Sequence, residues 1–176
     1  MKITFIRHSK VSFRWQLFYN SDTFDAACQE YDSSAIVNSQ HMNYSEQILL
    51  ISTLKRSRDT AYNLFGKREV VKTDLLNEIP LRSFTDTKIK LPVTFWMIAG
   101  RLQWYFNNPR QIESRNKSKE RISELIDYLE QKEQDYLIIG HGFYFAQFVT
   151  EIQKRGYNGN MRRRIGNGES REFIKS

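Results

Sequence analysis

Apolar residues along this chain fall into two textures. Short continuous runs such as Ile48-Leu49-Leu50-Ile51 read as strands buried on both faces. Longer stretches with apolar residues three and four apart read as amphipathic helices. The pattern predicts a strand over 2–6, then a helix over 22–31 with Asp22 as N-cap and Phe24, Ala27, Cys28 and Tyr31 on one face. A strand over 46–52 follows, then a helix over 54–65 closed by Gly66, and a short strand over 69–72. Residues 74–80 are irregular. Helices are predicted over 93–106, over 114–131 with Ile122, Leu125, Ile126 and Leu129 as its stripe, and over 143–155. Strands are predicted over 135–139 and 171–174. Strands alternating with helices imply an open, mostly parallel, doubly wound α/β sheet with helices on both faces. Ligands of such sheets bind beyond the carboxyl ends of the strands.

Length and composition narrow the picture. At 176 residues the chain is expected to be one domain, with 82–110 as a segment covering the site. The one cysteine, Cys28, excludes an internal disulfide framework. The chain starts directly in a strand, and its longest apolar stretch, 91–99, is interrupted by Thr94 and too short to span a bilayer. A cytoplasmic protein with no membrane partner is expected. The net charge of +7 suits anionic partners. The Arg115/Lys117/Lys119/Arg121 run lies among Glu120, Glu124, Asp127 and Glu130 and reads as a salt-bridged face, and Arg162-Arg163-Arg164 as solvated. No nucleic-acid-binding motif is present, so nucleic acid is not an expected partner.

The candidate chemistry sits at the strand ends. Four stretches answer to one another: Arg7-His8, Ser52 through Ala61, Leu76-Asn77-Glu78-Ile79, and Gly140-His141-Gly142. A phosphoryl group carries negative charge on its non-bridging oxygens, and a planar guanidinium matches those oxygens bidentately. Arg7 and Arg56 are the candidates for that contact. His8 is the candidate nucleophile, provided that its ring is neutral and held in one tautomer. His141, between two glycines, is expected as a cation that stabilises transition-state charge, with Gly142 allowing close approach of the backbone to a phosphate. Glu78 is the candidate general acid to a leaving alkoxide, then base for the hydrolytic water, giving a bell-shaped pH profile. Ser9 and Ser52 are candidates for hydroxyl contacts. Lys10 either reads a second anionic group of the substrate or is solvated. His8, Glu78 and His141 are also residue types that ligate metals, but no His-x-His or His-Glu-x-x-His spacing is present and nearby arginines repel a cation. Neither a metal nor an organic cofactor is expected. Arg58 and His41 read as surface residues.

Together these stretches resemble the histidine phosphatase superfamily, branch 1, also called phosphoglycerate mutase-like. Arg7-His8 resembles its Arg-His signature. Ser52 to Ala61 resembles its Ser-x-x-Leu-x-Arg-x-x-x-Thr-Ala block, which places the second arginine at Arg56 and not at Arg58. Leu76-Asn77-Glu78 is similar to the Leu-Asn-Glu segment of the mutase branch, and Gly140-His141-Gly142 to the second-histidine motif. Glu113-Ser114 with Arg121, and Asn167-Gly168-Glu169, are similar to its features before the last two strands. The resemblance implies a phosphoglycerate mutase-like fold and phosphate-monoester hydrolysis through a phosphohistidine at His8. The expected partner is a phosphorylated small molecule, with a phosphoprotein as the second candidate. The chain departs from the family in having Ser9-Lys10-Val11 after the nucleophile, where a glycine, an acidic or amide residue and a hydroxyl residue are usual. These residues and the short insertions favour hydrolysis over a mutase-type phosphotransferase. They also motivate a third reading, a non-catalytic module that binds a phosphorylated ligand. The sequence does not indicate an oligomeric state.

Overall fold

The apolar runs become the interior strands of one sheet. The computed structural model describes residues 1–37 and 47–175. His41 and the first residue of the strand expected from position 46 lie outside the described residues. The elements are β1 (Lys2–Arg7), β2 (Phe18–Tyr19), α1 (Ser21–Ser33), β3 (Ile48–Ser52), α2 (Lys55–Phe65), β4 (Val71–Thr73), β5 (Leu91–Pro92), α3 (Val93–Tyr105), α4 (Arg115–Lys132), β6 (Tyr136–Gly140), α5 (Gly142–Lys154), β7 (Asn158–Gly159) and β8 (Ser170–Ile174). The main sheet has the order β4-β3-β6-β1-β8-β7. Its first four strands run parallel, while β8 is antiparallel to β1 and to β7. The fold is therefore the expected open, mostly parallel α/β sheet.

The period of two along each strand divides the core. Ile3, Phe5, Leu50 and Ile138 join Leu125, Leu129, Phe145 and Phe148 on the α4/α5 face. Their neighbours Ile6, Leu49, Ile51, Leu137 and Ile139 join Ala61 and Leu64 of α2 on the other. A third cluster lies apart from both. Tyr19, Phe24, Ala27 and Trp96 are buried together, with Phe84 and Met97 against them. Trp96 stacks on Phe24 and donates its ring N–H to the Tyr19 carbonyl at 2.8 Å, tying α3 to α1 and β2.

One expectation needs correction, and one pairing lies outside the sequence reading. Asp22 is not the cap of α1. Asn20 is, in a reciprocal box in which its side chain accepts from Thr23 N–H and the Thr23 hydroxyl accepts from Asn20 N–H, both at 3.0 Å. Asp22 lies in the first helical turn instead, paired with Lys88. The β2–β5 pair was not foreseen, because two-residue strands carry no readable period.

Candidate active site

Three of the four stretches arrive at one rim because their strands are neighbours. His8 follows β1, His141 follows β6, and Ser52 ends β3; these strands lie side by side in the sheet. The amide of His8 bonds the Gly140 carbonyl at 3.0 Å, extending the ladder to the nucleophile candidate. The His8 and His141 ring centroids are 5.2 Å apart.

His8 meets both conditions set for a nucleophile. Its Nδ1 lies 2.7 Å from the Ser9 carbonyl oxygen, which can only accept, so Nδ1 carries the proton and Nε2 keeps its lone pair. Burial, then the charges of Arg56 and Arg7, push its pKa down to about 3. The loop around it is held in turn. Ser9 N–H donates to the Thr60 hydroxyl, and Asn167 donates its side-chain amide to the His8 carbonyl, each at 2.9 Å.

The second histidine differs from the sequence expectation. His141 is fully buried, and burial, then Arg56, lowers its pKa well below the ordinary value, so the ring is neutral rather than cationic. Arg56 Nε–H donates to its Nδ1 at 3.2 Å. An arginine N–H can only donate, so the proton of His141 sits on Nε2, 2.7 Å from the Ser52 hydroxyl. Ser52 thus orients a histidine. Arg56 is only 1 % exposed, and its Nη1 donates to Asp32 at 2.6 Å. Arg58, by contrast, is exposed and ion-paired to Asp59, as expected.

Glu78 reaches the same place from the segment after β4. One carboxylate oxygen accepts from Tyr144 N–H at 2.8 Å and from Ile79 N–H at 3.0 Å, the other from Phe143 N–H at 3.2 Å. Its loop is clamped by Arg121, which donates to the carbonyls of Leu75 and Asn77 and is itself held by Glu113. Arg7 donates to the Ile165 carbonyl at 2.9 Å, and its buried Nε has no hydrogen-bond partner among the described residues. A Cβ on Gly142 would lie 2.8 Å from the Arg7 Cζ, so this glycine makes room for the guanidinium.

Beside these groups lies a cavity of about 980 Å³. Arg56 and Glu78 border it, with Trp15, Tyr31, Asp32 and Asp25 near α1, and Arg82, Met97 and Arg101 from the 82–110 segment. Arg101 is seated over the Phe143 ring and donates to the carbonyls of Ile79 and Pro80. Lys10 is exposed and is not among the cavity-lining residues. Among the described residues no group of three or more His, Cys, Asp or Glu side chains is arranged to hold a metal ion, and no helix is long and apolar enough to cross a membrane. The sequence gives no role to Asp32 or Thr60 and none to Asn167 beyond its motif, and it assigns Gly142 to the approach of phosphate where the structure uses it to make room for Arg7. Thr60 carries a signal as the threonine of the Thr-Ala pair, Asn167 as the first residue of Asn167-Gly168-Glu169, and Asp32 carries none.

The mostly parallel α/β sheet thus gathers two histidines and two arginines at the carboxyl edge of its parallel strands. The chain belongs to the histidine phosphatase superfamily (branch 1), whose family model matches residues 36–173. The match starts beyond His8 and includes Arg56, Glu78 and His141. Solved structures extend the likeness of fold to almost the whole chain. Mycobacterial glucosyl-3-phosphoglycerate phosphatase aligns with a TM-score of 0.61 at 17 % identity, covering 97 % of this chain and 88 % of its own. The alpha-ribazole phosphatase from Shigella flexneri gives 0.57 at 16 %, covering 98 % and 89 %. Phosphoserine phosphatase from Entamoeba histolytica, in complex with phosphoserine, gives 0.55 at 18 %, covering 98 % and 90 %. No curated protein matches the chain.

Proposed function

We propose that this protein is a metal-independent phosphatase that hydrolyses phosphate monoesters of small molecules through a phosphohistidine at His8. The observation that carries the reading is the state of His8: neutral, in one tautomer with Nε2 available, and near two arginines. In the first step the Nε2 lone pair forms a bond to phosphorus as the bond from phosphorus to the ester oxygen breaks. Protonated Glu78 gives its proton to that oxygen, and the alcohol leaves. In the second step water attacks phosphorus, Glu78 takes a proton from it, and the N–P bond breaks. Inorganic phosphate is released and His8 is again neutral. Arg7, whose Nε is an orphaned buried donor, and Arg56 stabilise the equatorial oxygens. His141 acts by holding Arg56 Nε, not by carrying charge in the resting site. The 82–110 segment covers the cavity and selects the leaving group. The named activities of the similar structures, on phosphoserine and glucosyl-3-phosphoglycerate, support a small phosphorylated metabolite over a phosphoprotein.

The test is phosphate release from a panel of small phosphate monoesters in EDTA, by the wild type and by His8→Ala. Activity in chelator that vanishes in the mutant is expected. Activity surviving in His8→Ala would sink the nucleophile assignment. Phosphate binding with no release would favour the binding module, and transfer to a second acceptor alcohol would favour the mutase.

A further inference from the structure

The guanidinium assigned to substrate phosphate already holds a carboxylate. Asp32 Oδ1 lies 2.6 Å from Arg56 Nη1, and the Tyr31 ring lies 5.3 Å from the same guanidinium carbon. Both residues belong to the last turn of α1 and line the cavity. An acidic residue there is locally unfavourable, since the carbonyl end of a helix repels anions and the last turn has no basic residue to offset it. A tertiary partner is what justifies it, and that partner is Arg56. The two members of the pair are unequally placed: the Arg56 side chain is 1 % exposed and that of Asp32 is 52 % exposed. Asp32 can therefore swing into solvent at little cost, whereas Arg56 cannot.

His8 supplies the second observation. It is only 1 % exposed, yet attack requires Nε2 and phosphorus to approach to roughly 3–3.5 Å. Something over the histidines must yield before a phosphoryl group reaches them. Arg56 and Arg7 are both cations next to the two histidines, and of these Arg56 holds a half-exposed anion that is free to leave. Resting on the phosphatase reading above, we propose that Asp32 occupies the phosphate edge of Arg56 and is displaced by the incoming phosphoryl group. Its carboxylate thereby sets the affinity of the site for phosphate and speeds departure of the product. A dianion sharing this guanidinium with Asp32 meets a like charge a few ångströms away, and the penalty applies to substrate and to inorganic phosphate alike. Asn in place of Asp32 keeps an oxygen acceptor for Arg56 Nη1 and removes the charge, so it separates competition from mere support.

The experiment is calorimetric titration of inorganic phosphate into the wild type, Asp32→Asn, Asp32→Glu and Arg56→Ala. Asp32→Asn is expected to bind phosphate roughly tenfold more tightly at low ionic strength, with the advantage narrowing in high salt because Asp32 is half-exposed. Asp32→Glu, which keeps the charge, should behave as the wild type, and Arg56→Ala should lose binding. In steady-state kinetics Asp32→Asn should lower KM and the inhibition constant of phosphate together. Equal or weaker phosphate binding by Asp32→Asn, with a wild type that binds, would overturn the proposal alone and leave Asp32 as a support for Arg56. Failure of both folded proteins to bind phosphate would overturn this proposal together with the phosphatase reading.

Discussion

At Gly142 the first helical residue of α5 carries no side chain because the Arg7 guanidinium takes that volume. A Cβ there would approach Arg7 Cζ to 2.8 Å and Nε to 2.9 Å, and Arg7 is held on its far side by the Ile165 carbonyl. Gly142→Ala is expected to displace Arg7 and lower kcat/KM by about 100-fold, the cost typical of misplacing a group that contacts the reacting centre by about 1 Å. The far-UV spectrum should be unchanged. Steady-state kinetics checks this, and wild-type kcat/KM in the alanine variant would refute it. That His8, Arg56, Glu78 and His141 come near one another was legible from residue type and order. The charge state of His141 was not, because it depends on total burial and on a bond from an arginine 85 positions away. Asp32 was not legible either. A half-exposed acid near a helix end looks like any solvated residue until Arg56 is seen beside it.

Among the elements, α5 starts on a carboxylate borrowed from another segment. His141 is its N-cap residue but makes no side-chain cap bond. Glu78, 65 and 66 positions upstream, accepts from the Phe143 and Tyr144 amides in its place, which also brings a carboxylate to the positive end of the helix. Two roles are thus combined in one side chain, and two substitutions separate them. Glu78→Gln keeps one oxygen for the Tyr144 N–H, gives up the longer contact to the Phe143 N–H and has no transferable proton, so it is expected to lose activity at a cost of about 0.5 kcal/mol in stability. Glu78→Ala should lose activity and also about 1–2 kcal/mol. Urea unfolding of the two variants decides the matter; equal destabilisation by both would argue against the cap. The helices themselves were readable, since their stripes repeat every three or four residues. α3 was readable as a helix but not in its orientation. Trp96, Gly100 and Trp104 are buried while Phe95, Ile98, Leu102 and Tyr105 are exposed, and both faces are apolar in the sequence.

Across the whole molecule, the two neutral histidines link stability to pH. In an unfolded chain each would titrate near pH 6.5. In the folded protein His8 titrates at about 3 and His141 well below its ordinary value, burial being the largest cause for both. Between those values the unfolded state binds more protons than the native state. Stability therefore rises with pH through this window, and is lost as pH falls below about 6.5. Each histidine contributes a slope approaching 1.4 kcal/mol per pH unit. His8→Asn should remove one share of that slope. Urea unfolding of wild type and variant at pH 5 and pH 6.5 measures it, and identical slopes would show that His8 is not neutral by virtue of the fold. The same shift bears on activity. Protonation of His8 in the free enzyme lies too low to form the acid limb of a pH profile near neutrality.

The sequence alone determined the layered α/β class, the order of the strands along the chain, and the four motifs to which the chemistry is assigned in the proposal. Each of these is local: a run of apolar residues, a period, or a residue type beside a strand end. The tertiary structure decided which groups share a charge or a proton. It set Ser52 against His141, Glu78 on the start of α5, Gly142 beneath Arg7, and Asp32 on Arg56. Those pairings join positions 24 to 135 residues apart. Charge state and competition for a guanidinium are set by burial and distance, quantities that exist only once the parallel strands have brought their carboxyl ends together.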